Sequence, residues 1–344
     1  MNKLMRGLKH FLLALATLSL LACADDPELA PATPLQTDNA VIAQLYGAMP
    51  GAHQVSVIRD LQLAGGENER DLVLNLYFPG QGESFPLVLF SHGNWSDKDS
   101  YDHMIKHWVS HGYAVIAPNH LDCCSAVQGI FNSLRFGQVG LVEARITDMS
   151  RILRDLPRLA QTAPAFAGKA DSARLGLAGH SFGAFTAQQF GGARVFDPDK
   201  DSYLSHLDPR VKAVVAMSPP GPMFDTITAG SWLTLATPTL VSTGTWDVQP
   251  RFWPDWRMHL MSWETAIPGD KYALVTDGAD HYLGNLICRP EREAAPQENA
   301  LRMAQIATTA FLDSYLKDDI AAREFISDGS LNESTGGFAK LTIR

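Results

Sequence analysis

The stretch that most constrains the chain is RLGLAGHSFGAFTA, residues 174–187. The apolar run Leu175–Ala178 leads into Gly179-His180-Ser181-Phe182-Gly183 and then into small and apolar residues able to continue as a helix. A serine between two glycines at a strand-to-helix junction is the pattern of a sharp, strained turn that lifts a hydroxyl above the top of a sheet. Glycine is needed at 179 and 183 because a side chain there would strike the neighbouring strand or helix. The helix N-terminus beneath the serine turns a positive dipole end toward any negative charge that develops above it. Gly-x-Ser-x-Gly is a weak signal by itself, since both residues are common. Its position between a strand run and a helix is what gives it force.

That position predicts more of the same around it. HQVSVIRDLQL and RDLVLNLYFP read as an antiparallel pair, and FPLVLFSHG, GYAVIAPNH, ARLGLAGHS, RVKAVVAMSP, TPTLVSTGT and KYALVTDG read as buried strands. Helix-compatible stretches fall at 100–111, 139–160, 182–191, 255–264 and 297–317. The alternation predicts an α/β fold, an about eight-stranded, mostly parallel sheet with helices on both faces. A chain of 344 residues that is 46% hydrophobic and 19% charged has the apolar material for such a core. Residues 119–138 and 218–236 lie outside the alternation and are expected to cover the carboxyl edge of the sheet, where folds of this class place their sites.

A serine hydroxyl needs a base, and the base needs an acid, in the chain order Ser, acid, His for this architecture. KYALVTDGADHYLGN supplies His281 just past the last strand, between Gly278 and Gly284. Asp247, on the loop after TPTLVSTGT, stands where the acid is expected; Asp225, Asp255, Asp277 and Asp280 compete with it, since a loop aspartate more often caps a turn. His92, His120 and His180 are assigned to bracing the loops. Two backbone N–H groups, those of Phe182 and of Asn94 in FSHGNWSD, are expected to form an oxyanion hole. Trp95, Trp246 and Tyr282, with Phe182, Trp253 and Trp256 nearby in sequence, are candidates for the wall of an acyl or aryl pocket, or equally for core filler. No second pair of Cys or His stands at metal spacing, so a zinc site is not expected.

The Gly-His-Ser-Phe-Gly turn, the segment LFSHGNWSDKDSYDHMIKHWVSHGYAVIAPNHLDCCS and the segment EARITDMSRILRDL together resemble the platelet-activating-factor acetylhydrolase and dienelactone-hydrolase-like branch of the α/β-hydrolases. The resemblance covers about 85–290 and implies the α/β-hydrolase fold and hydrolysis of carboxylic esters by a Ser-His-Asp triad, without metal or cofactor. Dienelactone hydrolases carry a cysteine where Ser181 stands, so their lactone chemistry does not carry over. In eukaryotic acetylhydrolases of this group the acid follows the preceding strand, at a place held here by AMSPPG with Ser218, so Asp247 rests on the general pattern of the fold. Cutin-like polyesters and amides are alternative substrates for the same triad, and a non-catalytic, ligand-binding surface lipoprotein is an alternative of another class.

Residues 1–22 read as an export signal, with Lys3, Arg6 and Lys9 before the apolar FLLALATLSLLA. The sequence LLAC ending at Cys23 resembles a bacterial lipobox, which predicts lipidation of Cys23 and an outer-membrane lipoprotein facing the periplasm or the cell surface, with plain secretion as the alternative. Residues 23–40 read as a flexible tether and 41–344 as the hydrolase domain. Removing residues 1–22 takes away those three positive charges and no acid, moving the net charge from −9 to −12. Such a surface argues against nucleic acid as a partner. The expected partners are a small or polymeric ester and the membrane through the lipid, with the chain as a monomer. Cys123, Cys124 and Cys288 remain, an odd number that predicts one disulfide and one free thiol. A bridge from Cys288 to one of the pair is the expected pairing.

Overall fold

The computed structural model describes residues 34–344, so the expected export signal, Cys23 and most of the expected tether lie outside the described residues. The main sheet is built from β1 (Val55–Leu63), β2 (Leu72–Pro79), β3 (Phe85–Ser91), β4 (Ala114–Pro118), β5 (Ala170–His180), β8 (Val211–Met217), β9 (Thr239–Trp246), β10 (Lys271–Asp280) and β11 (Ala339–Ile343). The short pair β6 (Arg194–Asp197) and β7 (Ser202–Ser205) stands apart from it. Strands follow one another across the sheet in the order β1-β2-β4-β3-β5-β8-β9-β10-β11. The six from β4 to β10 in that order run parallel, and β1, β2 and β11 are antiparallel to their neighbours.

All eight expected strands are present. The ninth, β11, pairs antiparallel with the outer edge of β10. Its sequence AKLTI is short and half exposed, which is why apolar runs alone do not reveal it.

Two apolar layers sandwich the sheet. On one side α1 (Asp102–Ser110) and α4 (Glu298–Leu316) bury Trp108, Met303 and Phe311 against Val88, Val215 and Leu274. On the other side α2 (Ala126–Arg154) and α3 (Phe182–Phe190) bury Met149, Ile152 and Phe185 against Leu89, Ile116 and Leu177. The central strands are therefore covered on both faces, and they read as unbroken apolar runs for that reason. Among the described residues, no helix is long and apolar enough to cross a membrane.

The region 119–138 differs from expectation. It begins as a loop but enters α2 at Ala126, with Ser125 capping the helix by accepting from the Gln128 N–H. Gly137, at φ 70, breaks α2 into two arms. The first arm turns Val127, Phe131 and Leu134 outward at 78, 62 and 58% exposure, so its apolar residues do not mark a buried face. The second arm carries Arg145 back under the site.

Candidate functional site

Ser181 stands at the end of β5 with φ 54 and ψ −124, a conformation that costs a serine free energy and persists only where its surroundings enforce it. Its amide donates to the Met217 carbonyl at 2.8 Å, fixing the turn to β8. A Cβ on Gly179 would lie 2.2 Å from the Gly183 oxygen, and one on Gly183 would lie 2.0 Å from the Ser91 oxygen. Both glycines are therefore required by the close approach of backbone, as expected. Phe182 is the first residue of α3, so its N–H has no acceptor within the helix.

β9 ends at Trp246 and β10 at Asp280, and the residues immediately after them are Asp247 and His281. Parallel pairing of these two strands brings the pair together: His281 Nδ1 lies 2.7 Å from Asp247 Oδ1, both side chains buried. Thr243 donates to Asp247 Oδ2 at 3.0 Å. Burial alone would raise the Asp247 carboxyl, but the facing His259 and His281 rings hold it well below the usual carboxylate range. The competing aspartates are engaged elsewhere. Asp255 caps a turn through the Arg257 N–H, Asp277 accepts from Thr245, Asp280 pairs with Arg292, and Asp225 is exposed.

His180 ties the serine turn to His281. Its Nε2 lies 2.9 Å from the His281 carbonyl oxygen and its Nδ1 lies 3.1 Å from the Tyr101 hydroxyl. Burial pushes it well below the ordinary histidine range, so the ring stays neutral and donates from Nε2. His92 is neutral for the same reason, with Nδ1 2.7 Å from the Gly93 oxygen and Nε2 accepting from the His120 N–H at 3.0 Å. Both are braces.

The loop after β3 is held from beneath by Arg145, which is fully buried and pairs two-pronged with the equally buried Asp122 at 3.0 and 2.7 Å. The guanidinium also donates to the His92 oxygen at 2.6 Å and to the Gly93 oxygen at 3.4 Å, while its face lies 4.8 Å from the centre of the Phe182 ring. Gly93 donates its own N–H to the Tyr101 hydroxyl at 2.9 Å. The carbonyls of the loop are thus turned inward, and neither Asn94 nor Phe182 gives its amide to a backbone acceptor among the described residues outside the helices and strands. Arg145 and Asp122 escape a reading by motif, because one lies mid-helix in EARITD and the other beside two cysteines.

Of the aromatic candidates, Tyr282 meets His281 edge-on at 5.1 Å. Trp95, at φ 62, lies against Gly129 of α2 so closely that a Cβ there would be 1.9 Å from its ring. Trp246 ends β9 half-buried, and no ring contact joins it to His281. Trp253 covers His281 instead, with ring centres 4.9 Å apart.

The cysteines correct the expected pairing. Cys123 and Cys124 are bonded to each other, and Cys288 is free and buried. The Cys288 sulfur packs against Gly93, where a Cβ would be 3.0 Å from it, while the Cys124 N–H donates to the Ser96 oxygen at 3.0 Å. Hydrogen bonds do the joining instead: Ser96 Oγ to the Cys288 oxygen at 2.9 Å, and Arg289 to the oxygens of Trp95 and Asn94 at 3.0 and 3.2 Å.

Among the described residues one set of three metal-type donors, from Asp247, His259 and His281, lies within 4.8 Å of one another. In that set the Asp247 Oδ1 oxygen lies 2.9 Å from His259 Nε2 and 2.7 Å from His281 Nδ1.

A family model described as Chlorophyllase matches residues 50–194, from just before β1 through the serine turn and α3. The nine-stranded sheet and that likeness agree. The fold is that of an α/β-hydrolase. The matched family is one of hydrolases, which is consistent with an ester hydrolase. It shares its fold with the two branches that the motifs resemble and singles out neither. No curated protein matches the chain.

Proposed function

We propose that the chain is a serine hydrolase of carboxylic esters. The observation that carries this reading is the 2.7 Å contact between His281 Nδ1 and Asp247 Oδ1, on the strand ends beside a strained Ser181. Asp247 fixes the imidazole with Nδ1 protonated and leaves Nε2 as the base. Ser181 Oγ attacks the ester carbonyl as its proton passes to Nε2. The amides of Phe182 and Asn94 receive the oxyanion. The protonated His281 then gives its proton to the departing alkoxide, and water, deprotonated by the same nitrogen, releases the acid from Ser181.

Short acyl or aryl esters are the proposed substrates. Trp253 and Tyr282, packed around the base, and Trp95 beside the oxyanion loop support flat or apolar groups next to the scissile bond. The lipobox-like LLAC supports export and a lipid anchor at Cys23.

The test is hydrolysis of p-nitrophenyl acetate, butyrate and octanoate by protein expressed from Ala24 onward, beside Ser181→Ala. A triad member contributes orders of magnitude, so the variant is expected to fall by at least ~10³ in kcat/KM. Equal rates in the two proteins would reject the reading. A faster reaction on the amide isostere of a good ester would convert it to that of an amidase.

A further inference from the structure

The acid of the site has a second histidine that the proposed triad does not use. His259 lies in the turn Trp256–Leu260 and is 1% exposed. Its Nδ1 is 2.7 Å from the Pro219 carbonyl oxygen, and its Nε2 is 2.9 Å from Asp247 Oδ1, the same oxygen that faces His281. A neutral imidazole has only one N–H. With the proton on Nδ1, a lone pair on Nε2 would face a carboxylate; with the proton on Nε2, a lone pair on Nδ1 would face a carbonyl. The imidazolium alone gives a hydrogen to the carbonyl and a positive charge to the carboxylate. Its Nε2 lies off the line of an ideal hydrogen bond, so the link to Asp247 is mainly one of charge.

We infer that His259 is a permanently protonated positioning residue, which holds Asp247 and keeps the base His281 neutral to lower pH than a three-residue triad would. This rests on the serine-hydrolase reading above. The ionisable groups that face His259 are Asp247 at the end of β9, His281 after β10 and His180 at the end of β5; the Trp253 ring closes the remaining side at 5.7 Å. Burial opposes a charge on His259, but Asp247 and the Pro219 carbonyl raise it above the ordinary histidine range all the same.

The consequence lies in the resting enzyme. A proton arriving on His281 from solvent meets a carboxylate already shared with one cation, and that cation's ring centre is 5.6 Å away. Protonation that would switch the base off is therefore disfavoured. In the reaction the proton comes from Ser181 Oγ, and the oxyanion formed at the same time supplies compensating negative charge. His259 also ties the carbonyl after β8 to the acid after β9, so one ring fixes two loops.

The experiment is kcat/KM against pH for p-nitrophenyl acetate with wild type and His259→Gln, a variant that keeps a hydrogen-bond donor and loses the charge. The acid limb is expected to move up by about one pH unit, the size of a like-charge effect at this separation. The ratio of the rate at pH 8.5 to that at pH 5.5 would then rise several-fold. A variant that is slower at every pH with its acid limb in place would overturn the inference and leave His259 a purely structural residue. Should the variant fail to fold, neutron diffraction from deuterated wild-type crystals at pH 7.5 decides the matter: deuterium on both nitrogens of His259 is expected, and deuterium on one overturns it. Loss of the Ser181→Ala effect would remove the hydrolase reading instead, without touching the protonation of His259.

Discussion

Arg145 and Asp122 face each other at 2.7 Å with neither side chain exposed to solvent. The guanidinium that neutralises Asp122 also holds the carbonyls of the loop carrying Asn94 and the ring of Phe182, so a buried ion pair stands under both proposed oxyanion donors. Removing one partner of a buried pair leaves the other charged and uncompensated, at about 3–5 kcal/mol. Arg145→Met is expected to lower the unfolding free energy by that order and kcat by ~10² or more, the loss seen when an oxyanion donor is misplaced. Arg145→Lys keeps the charge without the two-pronged fit and should fall between. Denaturation and steady-state kinetics on the three proteins check this; wild-type kcat in Arg145→Met would show that the loop holds its shape unaided.

Asp247→Asn should reduce kcat by ~10⁴, because the amide favours the wrong tautomer of His281. Since His259 faces the same oxygen, this substitution also strands a buried cation, and the variant should be less stable than wild type at pH 7. Thermal melting beside the kinetics separates the two effects.

His107 gives the fold a pH dependence of its own. Burial, reinforced by the neighbouring His111, pushes it down to about 4. The folded protein therefore keeps it neutral where the unfolded chain, titrating near ~6.5, takes up a proton. Its contribution is present above ~6.5 and is lost progressively as pH falls toward about 4. Denaturation midpoints at pH 7.5, 6 and 5 should decline in wild type and decline less in His107→Gln. Parallel declines would assign the loss to other groups.

Alkylation under denaturing conditions tests the cysteines. In protein beginning at Ala24, mass spectrometry without reductant should find one modified thiol, Cys288, and with reductant three. Native, unreduced protein should resist labelling, because Cys288 is only 4% exposed and burial raises its thiol. Label on Cys123 or Cys124 before reduction would contradict the adjacent bridge.

Two glycines of α2 make a paired test. Gly129→Ala places a methyl 1.9 Å from the Trp95 ring, so the indole must move and the oxyanion loop with it. Gly137→Ala meets nothing within 4 Å and carries only the cost of φ 70, on the order of 1 kcal/mol. The first should lower kcat/KM at least ~10-fold and the second leave it within ~3-fold, measured on the same ester.

Much of this was readable in the chain because the features are local. The glycines flanking Ser181, and the places of Asp247 and His281 after their strands, each depend on a strand end and its next residues. Contacts that join distant segments left no such trace. His259 reaches Asp247 from a different loop, and Arg145 reaches the loop after β3 from mid-helix, so no spacing announces either. The pairing of Cys123 with Cys124 escaped because an odd count of three cysteines predicts one bridge and one free thiol without saying which two pair. Trp246 and Trp253 both lie near Asp247 in sequence, and only the folding of the loop after β9 sets Trp253 against the His281 ring.

The added strand β11 bears on how the protein should be handled. Residues 339–343 seal the outer edge of β10, the strand that delivers His281. A clone shortened before Ala339 would leave that edge as an open row of amides and carbonyls, ready to template other chains. Poor yield from such a clone would then report aggregation rather than a failed active site.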